Sequence, residues 1–279
     1  MTVREEVLAR AGSRTVHANG LDHRVLTFGT GAQDLVFVPG ITSPAETAGF
    51  IADALPELTV HVVDLRGRGG SDRAAAGEYT TDHYRRDLAG ILEELDLADA
   101  VVVGHSLGAR IVAAWALATS STGPVVLVDP PLSGPGRPYP MGADSFRRQL
   151  EEARRGTTAE AVRTYFPAWP ERELRLRAEV LHECDETAVL ESHRGFEEES
   201  FFPTWDRIHG RVALIHGGRS PVVTAEDVAE LRRRNPDIPI TAVDGAGHMV
   251  PWDDLDWFVA ALRQILTTIP DQTHERKTR

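Results

Sequence analysis

Cysteine is almost absent from these 279 residues: Cys184 stands alone, so no disulfide can form within the chain. That usage fits a reducing compartment, and the cytoplasm is the expected location. Basic residues are also in short supply, with 30 Lys and Arg against 42 Asp and Glu and a formal net charge of -12. An acidic surface repels nucleic acid and anionic membranes, so neither is expected as a partner. Long hydrophobic runs are missing as well. The longest, such as Ile111–Ala118, are far too short to cross a bilayer. The opening stretch carries Glu5 and Glu6 in place of an apolar core and does not read as a secretory signal. There is no internal repeat, no H-E-x-x-H and no clustered Cys/His spacing. Neither a metal nor a cofactor is expected.

What is present is an ordinary globular composition, 42% hydrophobic and 26% charged. Its organisation is rhythmic. Thr15–Phe28 reads as two strands around an Asn19-Gly20 turn, a strong hairpin signal. Apolar runs follow at Leu35–Val38, Val60–Val63, Ala100–Val103 and Val125–Val128, short and rich in β-branched residues. Such runs suit strands buried on both faces of a parallel sheet. Helical patterns at Ala45–Leu55, Asp82–Leu95 and Leu107–Ala118 separate them. The rhythm stops at a Pro- and Gly-rich stretch, Pro130–Pro140, and a helical, aromatic-rich region runs from about Asp144 to Phe202. It resumes with strands at Arg211–His216 and Ile238–Val243 and helices at Thr224–Arg234 and Trp252–Thr267. The expected fold is therefore α/β, a mostly parallel eight-stranded sheet flanked by helices. The expected division is a core of residues 1–132 and 206–270, a helical cap of residues 133–205 after the sixth strand, and a flexible tail of residues 271–279.

Gly104-His105-Ser106-Leu107-Gly108 lies between an apolar strand and a helix, the setting in which G-x-S-x-G marks a nucleophile elbow. Its serine stands at a helix N-terminus, where negative charge is favoured. A serine needs a base. His248, in Gly245-Ala246-Gly247-His248, follows the last strand and precedes the last helix, at the ligand-binding end of an open α/β sheet. His105 and His216 read as structural. For the acid, the commoner position after the seventh strand holds Ser220. Asp129, closing the sixth strand, is favoured over Asp244, Asp253 and Asp254, which read as a strand-end residue and helix N-terminal charges. Backbone N–H groups of Leu107 and Ile41 are the expected oxyanion donors.

These motifs, with Asp64–Asp72 after the fourth strand, resemble the α/β-hydrolase superfamily. Within it the chain resembles the N-formylmaleamate deformylases, amidases of aerobic nicotinate degradation. The resemblance runs through Val38–Ala45, Val128–Pro131, Ser133–Arg137, Leu176–Glu179 with Leu181-His182, Ala246–Met249 and Pro251–Asp256. It implies that the aspartate of Val-Asp-Pro-Pro, Asp129, serves as the acid. It also implies a small anionic amide as substrate, with Ser106 attacking a formyl carbon. A related acylamide hydrolase, a carboxylesterase, a lactonase or a non-catalytic receptor of the same fold are the alternatives.

The inserted region should cover the site. Between Arg137 and Arg177 there are nine arginines against six acidic residues. Within a helix expected over Glu171–Cys184, Arg177 lies on an apolar stripe with Leu174, Leu181 and Cys184, so it pairs, snorkels or meets a ligand anion. Ser43, Tyr139, Trp169 and His182 are the other candidate substrate contacts, with Phe166 among the aromatics that line a pocket or pack a core.

Overall fold

The polar opening conceals a helix that sequence periodicity misses. In the computed structural model, which describes residues 1–119 and 123–269, α1 spans Val3–Arg10. Thr2 caps it, accepting from the Glu5 N–H while the Glu5 carboxylate accepts from the Thr2 N–H, a reciprocal capping box. Its one buried side chain, Val7, packs with Leu26 and Phe28.

The hairpin follows as expected, β1 (Gly12–Ala18) and β2 (Leu21–Phe28), with Asn19 and Gly20 both at positive φ, as a tight primed turn requires. The remaining strands are β3 (Gln33–Val38), β4 (Leu58–Val63), β5 (Val101–His105), β6 (Val125–Val128), β7 (Val212–Gly217) and β8 (Ile240–Val243). They form one eight-stranded sheet in the order β1-β2-β4-β3-β5-β6-β7-β8, antiparallel at the β1-β2 and β2-β4 pairs and parallel elsewhere. Every residue of β5, β6 and β7 is buried, which is why those strands read as unbroken apolar runs. Alternation still divides them. Val102 and Leu127 face the layer of α3 (Thr81–Glu94) and α4 (Leu107–Ala118). Val101, Val103, Val126 and Val128 face the layer of α1, α2 (Gly49–Asp53) and α12 (Leu255–Thr268).

Between β6 and β7 come α5 (Ala143–Arg154), α6 (Ala159–Arg163), α7 (Glu171–Val180), α8 (Glu186–Glu198) and α9 (Phe202–Trp205); α10 (Ala225–Arg234) and α11 (Val250–Asp253) complete the chain. Arg110 of α4 ties both ends of this insert to the core, donating to the carbonyls of Pro131 and Ser133 and to that of Glu199.

Three expected helices are broken. Ala45–Leu55 is a 3-10 turn followed by the short α2. The helix expected over Glu171–Cys184 ends at Val180 and continues as a 3-10 turn, Leu181–Glu183. Trp252–Thr267 is split at Asp254, whose non-helical backbone ends α11 and whose carboxylate caps α12 through the Trp257 N–H. The expected tail, residues 271–279, lies outside the described residues. Among those described, no helix is long and apolar enough to cross a membrane.

Candidate active site

Ser106 sits at φ 55°, ψ -117°, between β5 and α4. A non-glycine residue holds such a conformation only where its surroundings impose it. Two glycines make the turn possible. A Cβ on Gly104 would overlap the Gly108 carbonyl, and one on Gly108 would overlap the Val38 carbonyl of the neighbouring strand. The Ser106 N–H donates to the Val128 carbonyl at 2.9 Å, which fixes the turn to β6. Leu107 then opens α4, and its N–H is one of those an α-helix leaves without an intrahelical acceptor. The Ile41 N–H, in the loop after β3, takes no acceptor among the described residues.

The loops after β6, β7 and β8 meet this serine. His248 Nε2 accepts from the Ser106 hydroxyl at 3.0 Å, and its Nδ1 donates to Asp129 Oδ2 at 2.7 Å. Asp129 is fully buried and, like Ser106, at positive φ. Its carboxylate also accepts from the Gly217 N–H at 2.9 Å and the Ser220 hydroxyl at 2.6 Å. A carboxylate so cradled is held in one orientation and has its desolvation offset. Ser220, at the position after the seventh strand where the acid more commonly stands, thus serves the aspartate one strand away. The other acids are engaged elsewhere. Asp244 is exposed after β8, Asp254 caps α12, and Asp253 accepts from the Gly247 N–H and the Trp169 indole. Burial raises the pKa of Asp253.

His105 has a more specific place than its sequence suggested. Its Nε2 donates to the His248 carbonyl at 2.9 Å, tying the elbow to the histidine loop. Burial first, and the neighbouring His248 second, hold its pKa down to about 3, so it is a neutral donor.

A cavity of about 430 Å³ opens on Ser106 and His248, within the range of small-molecule sites. Part of its lining comes from the β3 loop, Gly40–Ser43, and part from the insert, including Phe146, Gln149, Phe166 and Arg177. Arg177 is 4% exposed and forms no ion pair among the described residues. It donates to the Thr42 carbonyl (3.2 Å), the Thr42 hydroxyl (3.0 Å) and Gln149 Oε1 (3.4 Å), and its guanidinium lies 4.9 Å from the centre of the Phe166 ring. Burial lowers its pKa to about 10, which leaves it a cation at neutral pH. Tyr139 and Ser43 also line the cavity. The Tyr139 hydroxyl stands 3.5 Å from His248 Nε2, and burial, then the Asp129 charge, raise its pKa and keep it neutral.

Two sequence candidates lie elsewhere. Trp169 stacks between Phe166 and Trp252 with its indole N–H on Asp253, so it packs the insert onto the core behind the cavity. His182 is exposed on the 3-10 turn after α7. Aromatic character nominated both, without regard to register. Thr42 and Gln149 were missed. Nothing in their local sequence marks them, because their significance comes from holding Arg177.

A family model described as the alpha/beta hydrolase family matches residues 35–261. An N-formylmaleamate deformylase of Pseudomonas putida is 38% identical over 254 residues, 90% of this chain and 95% of that protein. A 2-(acetamidomethylene)succinate hydrolase of Mesorhizobium japonicum is 29% identical over 237 residues, 77% of this chain and 81% of that protein. A crystal structure of an N-formylmaleamic acid deformylase from Pseudomonas putida aligns with a TM-score of 0.83 at 38% identity, covering 90% of this chain and 100% of that one.

Proposed function

The chain belongs to the alpha/beta hydrolase family, and on that premise we propose that it is a cytoplasmic serine hydrolase of linear amides, converting N-formylmaleamate to maleamate and formate. The observation that carries this reading is the relay from Ser106 through His248 to Asp129, at 3.0 and 2.7 Å, opening on a cavity with a buried cation in its wall.

In this reading Ser106 Oγ attacks the formyl carbon and its proton passes to His248 Nε2. Asp129 steadies the imidazolium and fixes the tautomer. The formyl oxygen becomes an oxyanion held by the N–H groups of Ile41 and Leu107, with the α4 N-terminus beneath it. Collapse breaks the C–N bond while His248 gives its proton to the departing maleamate nitrogen. Water, deprotonated by His248, then attacks the formyl ester; formate leaves and the proton returns to Ser106. Arg177 receives the maleamate carboxylate, and Tyr139 and Ser43 border the reacting group. Residues 1–132 and 206–270 act as the core and residues 133–205 as a cap over the site; no cofactor takes part.

The test is formate release from N-formylmaleamate, measured beside acetate release from the N-acetyl analogue and turnover of p-nitrophenyl acetate. Formate as the dominant product is expected. The acetyl analogue matters because of the similarity to a hydrolase of an acetamido compound; faster acetate release would move the assignment to that class. Ester turnover with neither amide cleaved would sink the amidase assignment.

A further inference from the structure

The assignment of the Ile41 N–H as an oxyanion donor, on which this inference rests, raises the question of what aims it. We propose that two buried arginines, Arg68 and Arg177, hold the Gly40–Ser43 loop in its oxyanion-binding shape and thereby make the insert part of the catalytic geometry.

Three successive carbonyls of the loop are each engaged. Gly40 C=O accepts from the Ser43 N–H at 3.3 Å, Ile41 C=O from Arg68 Nε at 3.1 Å, and Thr42 C=O from Arg177 Nη1 at 3.2 Å. A peptide unit is planar and trans, so fixing its carbonyl fixes the N–H on the same plane. The plane that carries the Ile41 N–H is closed only by the long Gly40–Ser43 bond. The two planes after it are held by charge-assisted donors, which are the stronger kind. Without them the turn has one weak internal bond to keep its shape.

Arg68 belongs to the glycine-rich turn after β4, which the catalytic scheme leaves unused. Arg68 is 1% exposed. Beyond Ile41 it donates to the Arg66 carbonyl (2.9 Å), the Tyr84 hydroxyl (2.5 Å), the Ala188 carbonyl (3.2 Å) and the Ser192 hydroxyl (3.0 Å). All five N–H groups of the fork are therefore used. Neither Arg68 nor Arg177 forms an ion pair among the described residues. A buried cation served only by neutral acceptors is costly, and apolar packing would stabilise the fold more simply. What the fork provides is reach. Arg68 joins the loop to α3 and to α8 of the insert, and Arg177 joins the same loop to α7 and, through Gln149, to α5. Arg177 also places positive charge in the wall of the cavity that opens on Ser106.

This separates two roles for Arg177. As an anchor for the substrate carboxylate alone, it would not affect a reagent without one. As a positioning residue it affects any attack by Ser106. The experiment is the second-order rate of labelling by a neutral alkyl fluorophosphonate, with kcat and KM for N-formylmaleamate measured in parallel. Arg68→Met and Arg177→Met are each expected to slow labelling by about 10- to 100-fold while the thermal transition stays cooperative. Arg68→Met should lower kcat at nearly unchanged KM, and Arg68→Lys should recover part of the loss. A folded Arg177→Met protein labelled within about twofold of the wild type, with only KM raised, would overturn the positioning role. If Arg68→Met does not fold, Ser192→Ala decides, because it trims one far contact of the fork. Labelling slowed by about threefold supports the proposal and an unchanged rate overturns it. Wild-type protein that takes no label at all would instead remove the serine-hydrolase reading itself.

Discussion

The site has two halves built by different means. The core half, Ser106, Asp129 and His248, stands on loops at the ends of β5, β6 and β8, and two of its three residues are at positive φ. Strand pairing and buried hydrogen bonds fix each of them within one narrow arrangement. The insert half, Tyr139, Gln149, Phe166 and Arg177, comes from helices and the segments between them, and is set by helix register and side-chain packing. Chemistry is tied to topology, which a chain cannot alter without losing the sheet. The insert half is tied to packing, which can change one side chain at a time, except where Arg177 reaches the Thr42 carbonyl and joins the insert to the core half's β3 loop.

The sharpest way to test the contrast is to remove charge from the core half without changing its shape. Asp129→Asn should lower kcat by about 10⁴-fold with a native thermal transition, because an amide facing Nδ1 favours the tautomer whose proton points at Ser106. Steady-state kinetics check this, and a loss under tenfold would move the acid elsewhere. The elbow is the next weakest to perturbation. Gly108→Ala puts a methyl into the Val38 carbonyl, and β3 and α4 have no free space between them there. Urea unfolding should show a loss of about 3 kcal/mol.

Most of the core half was legible in the amino-acid sequence. Gly-x-Ser-x-Gly between a strand and a helix, and a Gly-His after the last strand, place the serine and histidine because the fold permits few positions for them. Asp129 was legible for a negative reason: Ser220 occupies the usual place. What the sequence did not reveal is that Ser220 donates to Asp129 at 2.6 Å, since nothing local to either residue encodes a contact across two strand ends. The insert was harder to read. Its helical character was plain, yet the end of α7 at Val180 was not, and His182 lies exposed on the 3-10 turn beyond it. Arg177 was found because a charge on an apolar stripe is anomalous. Thr42 and Gln149, ordinary polar residues, carry no such signal.

Ser220→Ala marks the boundary between the halves' behaviours. It removes one of three donors to Asp129 and leaves the Gly217 N–H and His248 in place. About a tenfold decrease in kcat, with KM unchanged, is expected for the loss of one hydrogen bond to a charged group. A loss as large as that of Asp129→Asn would mean the hydroxyl sets the carboxylate's position and does more than support it.

The smallest effect should come from His182→Ala. The side chain is exposed on the turn after α7, whereas Arg177, five residues earlier, is buried against the β3 loop. The two positions are close in sequence but differ in burial, one inside α7 and one on the turn that follows it, so they separate burial from proximity along the chain. If substrate selection is a property of the cavity-facing side alone, His182→Ala should keep kcat/KM for N-formylmaleamate within about twofold, as surface substitutions remote from a site do. A tenfold rise in KM would show that α7 and its turn move toward the cavity when substrate binds, and the division between a fixed core half and a packed insert half would then need a mobile element between them.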